Sequence, residues 1–485
     1  MKSALAFPTR VGGYINGRWV DAADSYPVID PATGGELGRA PRSTVADAHA
    51  AAAAARAAFP SWALSSLDER CRLLRDLAAA IGAHHADFVE LVMRETGALL
   101  PFARDVKVAF TVDRFNWHAT ASPEWFQSDM AVVTPDGANR RTRVVRQPAG
   151  VVTCITPFNF QLPNVAAKLG AALVAGCTTI LKPAPQDPLG AITLFELIAE
   201  LGFPPGVVNL VVSDDVAVSQ ALVASPDVDM VSFTGSTRTG LDIGARAGAS
   251  MKRTLLELGG KSALIVTEDA DVPAAARAAA STWTVYAGQI CTAPTRVIAH
   301  RAVYDDVVAE LTEIARGLRT GDPEDPEAQI GPLITEAHRT RVETCIRAGV
   351  DEGATLAVDG RIPRDASPGN FVGATLFTEC ANDMTIAREE IFGPVLCVIP
   401  ASDDDDAVRL ANDSDYGLDG YVWAGDAEHA WQLARGLRTG HVSVNGAPTN
   451  SLAPFGGFRR SGVGRDRGLA GVQAYTEVQA IDLPN

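Results

Sequence analysis

The strongest constraint on the fold lies between residues 150 and 250. There, short β-branched runs alternate with stretches of helical periodicity. The runs are 151–155, 178–181, 207–212 and 229–233, and the helical stretches between and after them are 163–175, 188–201, 216–224 and 236–247. Strands that alternate with helices of this length build a parallel sheet through right-handed crossovers. Ligands of such sheets sit at the carboxyl ends of the strands. A second alternating region runs from about residue 260 to 445. Upstream, 43–59 is Ala-rich with cap residues at its start, and 68–96 carries Leu73, Leu74, Leu77 and Ile81 at helical spacing. The segment 124–146 breaks the pattern. It has few helix signals and ends in a strand-like run, as a protruding hairpin does. Asp403–Asp406 reads as a helix start, where acidic charge meets the positive dipole end.

At roughly 100–200 residues per domain, 485 residues allow two to four domains. The net charge, 42 − 58 = −16, argues against nucleic acid or anionic lipid as a partner. It leaves room for a local basic pocket that takes an anionic cofactor. Seven cysteines, an odd number without Cys-x-x-Cys spacing, argue against a disulfide framework and a zinc site, and no metal is expected. The first residues meet Pro8 and Arg10 too early for a signal-peptide core, and Lys168 interrupts the most apolar stretch, 162–181. A reduced, cytoplasmic protein without a membrane span is expected.

Four short motifs can carry chemistry. Cys291, in Gly288-Gln289-Ile290-Cys291, can be a nucleophile, although an isolated cysteine is more often an inert filler. Glu257 sits between leucines ahead of Gly259-Gly260-Lys261. Apolar neighbours raise a carboxyl pKa toward that of a general base, while the plainer reading is a solvated strand end. Asn159, after the strand that ends at Ile155, is either a turn former or an amide donor to an oxyanion. Phe233-Thr234-Gly235-Ser236-Thr237 ends a strand, turns, and opens a helix whose N–H groups suit a phosphate; there is no Gly-x-Gly-x-x-Gly.

Together these motifs resemble the aldehyde dehydrogenase superfamily over nearly the whole chain. The matching stretches follow in family order: Gly17-Arg18-Trp19, Pro157–Phe160, Leu181–Ala184, Phe233–Thr237, Leu256–Lys261, Gly288–Cys291, Glu389–Pro394 and Pro454–Gly457. The resemblance implies an α/β, aldehyde dehydrogenase-like fold. A Rossmann-like cofactor domain (1–123 and 147–259) would accompany an α/β catalytic domain (260–458) and a small β oligomerisation element (124–146 and 466–485) of a homodimer or homotetramer. It implies NAD(P)-dependent oxidation of a small-molecule aldehyde to a carboxylic acid through a cysteine thiohemiacetal and thioester. Cys291 is then the nucleophile, Glu257 the general base, and Asn159 with the Cys291 N–H the oxyanion hole. Lys168 and Asp466 form a proton-relaying pair. Lys182 holds the adenosine ribose, Ser236 the pyrophosphate, and Glu390 and Phe392 the nicotinamide end. Ile155, Thr156, Pro157, Phe158, Ala184, Pro185, Phe233, Gly235, Leu258 and Gly259 complete the cofactor lining.

A CoA-acylating semialdehyde dehydrogenase is the rival enzyme, and Glu257, a water-activating base, argues against it. A catalytically silent protein of the same fold is the other rival. Three positions depart from the family. Pro185 stands where a ribose-reading glutamate is common, Ser213-Asp214-Asp215 replaces a glycine-rich turn, and Tyr286 replaces an asparagine ahead of the nucleophile. The acidic pair is expected to favour NAD modestly, with NADP the alternative cofactor, and Asn164, Ala167, Val285 and Tyr286 are expected at the substrate mouth.

Overall fold

The computed structural model describes residues 12–365 and 368–484, so the expectation about a signal-peptide core concerns residues that lie outside it. Two large sheets dominate. The first has eight strands in the order Gly462–Val463, Arg253–Glu257, Met230–Thr234, Val151–Ile155, Thr178–Lys182, Val208–Leu210, Gly12–Ile15 and Arg18–Asp21. Its five central strands are parallel, as the alternation predicts. The chain lays Val151–Ile155 in the middle, moves outward through 178 and 208, then returns to the other side at 230. That reversal is a topological switch point, and it opens a crevice beyond Ile155 and Thr234.

Both faces of this sheet are buried. Val152 and Cys154 join one core, while Val151 and Ile155 join the other, as the two-residue period of a strand requires. Helix Gln161–Ala175 covers one face, and the apolar stretch that contains Lys168 divides between this helix and the strand Thr178–Lys182. Among the described residues no helix is long and apolar enough to cross a membrane.

The second sheet runs Thr355–Val358, Thr375–Thr378, Val395–Ala401, Arg296–His300, Ala263–Val266, Asp419–Trp423 and His441–Val444. It is parallel except at the Thr355 edge. The short link 258–262 joins Glu257 at the end of one sheet to Ala263 at the start of the other. The expected hairpin is real: Gln127–Val133 pairs with Asn139–Pro148, which pairs in turn with the C-terminal strand Thr476–Leu483.

The region 68–96 is two helices rather than one. Leu67–Ala83 stops at His84, which leaves helical geometry and bonds Asp87 through its ring (3.1 Å) before His85–Thr96 begins. A straight helix over this stretch would run about 40 Å. The break lets Leu73, Leu77 and Ile81 share a core with Phe88 and Val92.

Candidate active site

Cys291 follows a strained loop. Tyr286 (φ 50°), Ala287 (φ 52°) and Gly288 (φ 70°) take left-handed geometry in succession. A side chain at Gly288 would meet the carbonyl of Gly393 at 2.4 Å. Buried Gln289 holds the loop: its Oε1 accepts from Ile334 N (2.9 Å) and its Nε2 donates to Tyr286 O (3.1 Å). Neither alternation nor periodicity marks Gln289 as a support. Asn159 Nδ2 donates to Gln289 O (3.0 Å), which places the amide two residues from the cysteine. Its second N–H meets no acceptor among the described residues and is available to an oxyanion.

Glu257 ends its strand with both carboxylate oxygens buried and unpartnered. Gly456 packs against it, since a Cβ there would lie 2.7 Å from Glu257 Oε1. Burial pushes the Glu257 carboxyl well above its ordinary range, and Asp466 adds to the shift. Behind it, Lys168 Nζ donates to Ser232 Oγ (3.1 Å), which bonds the Tyr475 hydroxyl (2.8 Å). Burial alone would raise Asp466; Lys168 and Arg114 outweigh it and hold that carboxyl low. Cys291 is half-buried, and burial, with Glu390 next, pushes its thiol up to about 12.

Glu390 accepts from Gly260 N (3.1 Å), and burial raises it to about 7. Phe392 (φ 59°) packs edge-on to Phe158 (5.8 Å), with its carbonyl 2.7 Å from His338 Nε2. His338 lies on helix Glu336–Asp351, 54 residues before Phe392, and no motif singles it out.

At the switch point, the exposed Ser236 caps helix Thr237–Gly248 by accepting from Thr239 N (3.3 Å). Phe233 is buried, and Gly235 N donates to Glu257 O (3.0 Å). Thr156, one residue beyond Ile155, donates its N–H to Lys182 O (3.2 Å). Lys182 is buried without a hydrogen-bond partner among the described residues, and burial lowers it to about 8 against the opposing fields of Asp187 and Asp214. Ala184 and Pro185 are half-exposed in the turn that follows. Leu258 and Gly259 lie in the link between sheets; Gly259 N donates to Thr237 Oγ1 (3.3 Å), and a Cβ at Gly259 would strike Glu390. The sequence-selected residues thus converge on two neighbouring places, one around Cys291 and one around Lys182.

Two expectations need correction. Tyr286 is not at a substrate mouth: it is buried, donates to Thr96 O (3.0 Å), stacks on Phe102 and lies under Lys107 Nζ (3.9 Å). Ala167 is buried as well. The acidic pair is not free. Arg42 donates to both oxygens of Asp214 (2.6 and 2.8 Å), while Asp215 caps its own helix through Ala217 N (2.9 Å).

Comparison with known proteins decides what this geometry belongs to. The model of the aldehyde dehydrogenase family matches residues 19–481. The chain belongs to the aldehyde dehydrogenase family. It is an oxidoreductase acting on aldehydes, and the fold expected from the motifs is the observed one. A 3-succinoylsemialdehyde-pyridine dehydrogenase of Pseudomonas sp. is 40% identical over 96% of this chain and 97% of its own. Betaine aldehyde dehydrogenase of Bacillus subtilis is 36% identical over 96% of each chain. The crystal structure of a Mycobacterium tuberculosis aldehyde dehydrogenase complexed with NAD+ superposes with a TM-score of 0.93, at 39% identity and 98% coverage of both chains. A Staphylococcus aureus betaine aldehyde dehydrogenase point mutant with NAD+ also gives 0.93, at 33% identity, covering 98% of this chain and 96% of that one.

Proposed function

We propose that this aldehyde dehydrogenase uses NAD to oxidise an aldehyde to a carboxylic acid, with Cys291 as nucleophile and Glu257 as the base that releases the product. The observation that carries the residue assignment is Glu257, a buried carboxyl with no partner, electrostatically coupled to a half-buried cysteine on a strained loop. A carboxyl kept from water and from hydrogen bonds has a task other than stability.

Cys291 gives its thiol proton to solvent as its sulphur adds to the carbonyl carbon, and the oxygen takes up negative charge facing the second Asn159 N–H and the Cys291 backbone N–H. NAD, when bound, supplies the hydride acceptor. Loss of hydride from the carbon leaves a thioester on Cys291. Glu257 takes a proton from water as that water attacks the thioester, the C–S bond breaks, and the sulphur regains its proton. Lys168 and Asp466 hold charge behind Glu257 and give its proton a way out.

The residues fit the cofactor. Lys182 is a buried cation that lacks a partner, the capped helix at Ser236 opens beyond the switch point, and Glu390 is pinned by Gly260 N. NAD-bound neighbours of the same fold support this reading. We assign the cofactor role to 1–123 and 147–259, catalysis to 260–458, and assembly to 124–146 with 466–485. The assembly role is supported by Met130, Val478 and Ile481, apolar and exposed on the small sheet, whose two outer strands leave open edges. A homodimer or homotetramer follows, and light scattering at the 50.9 kDa mass of one chain would overturn it. Seven free thiols support a cytoplasmic setting.

The test is reduced-nicotinamide absorbance with purified protein, NAD and a panel of aldehydes that includes the pyridine semialdehyde and betaine aldehyde of the relatives' names. Cys291→Ser is expected to lose activity by about a thousand-fold or more while still binding NAD. A variant that keeps a tenth of the rate would remove Cys291 from its role.

A further inference from the structure

Arg467 is the residue that the family reading leaves without a task. It follows Asp466 directly and takes φ 63° with ψ 158°, a backbone region that side chains other than glycine rarely occupy. Its conformation is over-determined. Asp466 and Phe455 exchange both backbone hydrogen bonds (2.6 and 2.8 Å), and Arg467 N donates to Asp466 Oδ1 (2.7 Å). The guanidinium is thereby laid over the Phe455 ring at 4.0 Å. Among the described residues this half-buried cation forms no ion pair, and its guanidinium makes no hydrogen bond.

Its surroundings are those of the reaction. Gly456, next in the chain to the Phe455 that Arg467 covers, packs on Glu257, since a Cβ there would lie 2.7 Å from Glu257 Oε1, and the guanidinium also acts electrostatically on Cys291, Glu257, Asp466, Asp419 and His441. The two acids beside it are already engaged. Asp419 accepts from His441 Nδ1 (2.8 Å) and Gly420 N (2.9 Å), and Asp466 answers the charge of Lys168 and Arg114 ahead of that of Arg467. Tyr421 ties this group to the nucleophile loop by donating to Thr292 O (3.0 Å). A chain of net charge −16 therefore keeps, in the electrostatic surroundings of its cysteine, a cation that no carboxylate ties into an ion pair among the described residues.

We infer that Arg467 determines substrate specificity, selecting aldehydes that carry a carboxylate at the far end and rejecting those that carry a quaternary ammonium. The guanidinium offers a carboxylate a charge-assisted, two-pronged set of N–H donors. It also covers the Phe455 face, the kind of aromatic surface on which a quaternary ammonium would rest. This rests on the proposed Cys291 site, and it sets the chain apart from the betaine aldehyde dehydrogenases whose fold it shares.

The experiment compares three aldehydes of matched length that end in carboxylate, methyl or trimethylammonium. The wild type is expected to rank them in that order by kcat/KM, with the carboxylate ahead of the methyl compound by about ten-fold or more. Rising salt shrinks that ratio, because screening weakens a half-exposed charge contact. In Arg467→Gln the ratio falls close to one, mainly through KM for the carboxylate substrate, and Arg467→Lys keeps part of it. Melting temperature and NAD affinity check that both variants are folded. A wild type that prefers the ammonium or ignores the carboxylate overturns the inference, as does a ratio that Arg467→Gln leaves unchanged. Failure of all three aldehydes to reduce NAD would instead strike the proposed function itself.

Discussion

Around Cys291, three acidic groups, the half-buried Cys291 and Glu390 and the buried Glu257, have few partners, whereas around Lys182 a single base is buried among carboxylates. At the first place burial works toward neutrality: the Cys291 thiol rises to about 12, Glu390 to about 7 and Glu257 well above its normal range. At the second, burial pulls Lys182 down to about 8, and Asp187 and Asp214 work to keep it charged. Glu257 and Lys182 end strands that belong to one sheet, so the backbone alone does not set the two places apart. Partner choice does. A catalytic acid is useful when its proton is loosely held near the working pH, and a cofactor clamp is useful when its charge persists.

The larger effect is expected at the acidic place. Glu257→Gln removes the base but keeps the size and burial of the side chain. It should slow steady-state turnover by about a hundred-fold or more while leaving a first-turnover burst of reduced cofactor and a thioester visible by intact mass. The pH dependence has a definite sign. Because the folded carboxyl is raised, its base form appears only as pH climbs through that raised value. Wild-type thioester hydrolysis must therefore gain rate as pH rises above the ordinary carboxylate range, and the Gln variant must lose that limb. A Gln variant with neither burst nor trapped acyl-enzyme would move Glu257 from water activation to thiol activation. The comparison would then break, since the carboxyl would be needed in its charged form from the start.

What the sequence reveals differs between these places for a physical reason. Strands of the first sheet are visible as continuous β-branched runs between helices, and the hairpin and the C-terminal strand as strand-like runs, because these signals are local. Cys291, Glu257 and Asn159 stand out because each breaks a local pattern, a carboxylate between leucines being the clearest. Residues whose meaning depends on distant partners are not visible. Asp214 reads as a free acid until Arg42, 172 positions away, takes both of its oxygens. Tyr286 reads as a mouth residue until Thr96, 190 positions away, accepts its hydroxyl. Asp187, buried with both oxygens unpartnered, looks like an ordinary turn aspartate two residues after Pro185. Arg467 belongs here too, because only the Phe455–Asp466 pairing aims it.

The smaller effect is expected at the basic place, in the choice between NAD and NADP. Pro185 supplies no carboxylate against a 2′-phosphate, and Lys182 attracts one. Asp214 opposes it, but Arg42 neutralises much of that charge with a two-pronged contact, and the half-exposed pair is open to screening. Asp24 also contacts Arg42, so the cluster keeps a net negative charge, while Asp215 is spent on its helix cap. A weak residual repulsion should favour NAD by about three-fold in kcat/KM, the scale of one partly screened surface charge. Arg42→Ala releases Asp214 and should widen that preference by a similar factor, and Pro185→Glu should widen it further by placing a second carboxylate in the same turn. The ratio of kcat/KM for the two cofactors measures all three proteins on one scale. If NADP proves better in the wild type, Lys182 outweighs Asp214 and the ribose end attracts phosphate after all. If Arg42→Ala leaves the ratio where it was, Asp214 does not reach the ribose, and the carboxylate that matters to Lys182 is the buried Asp187.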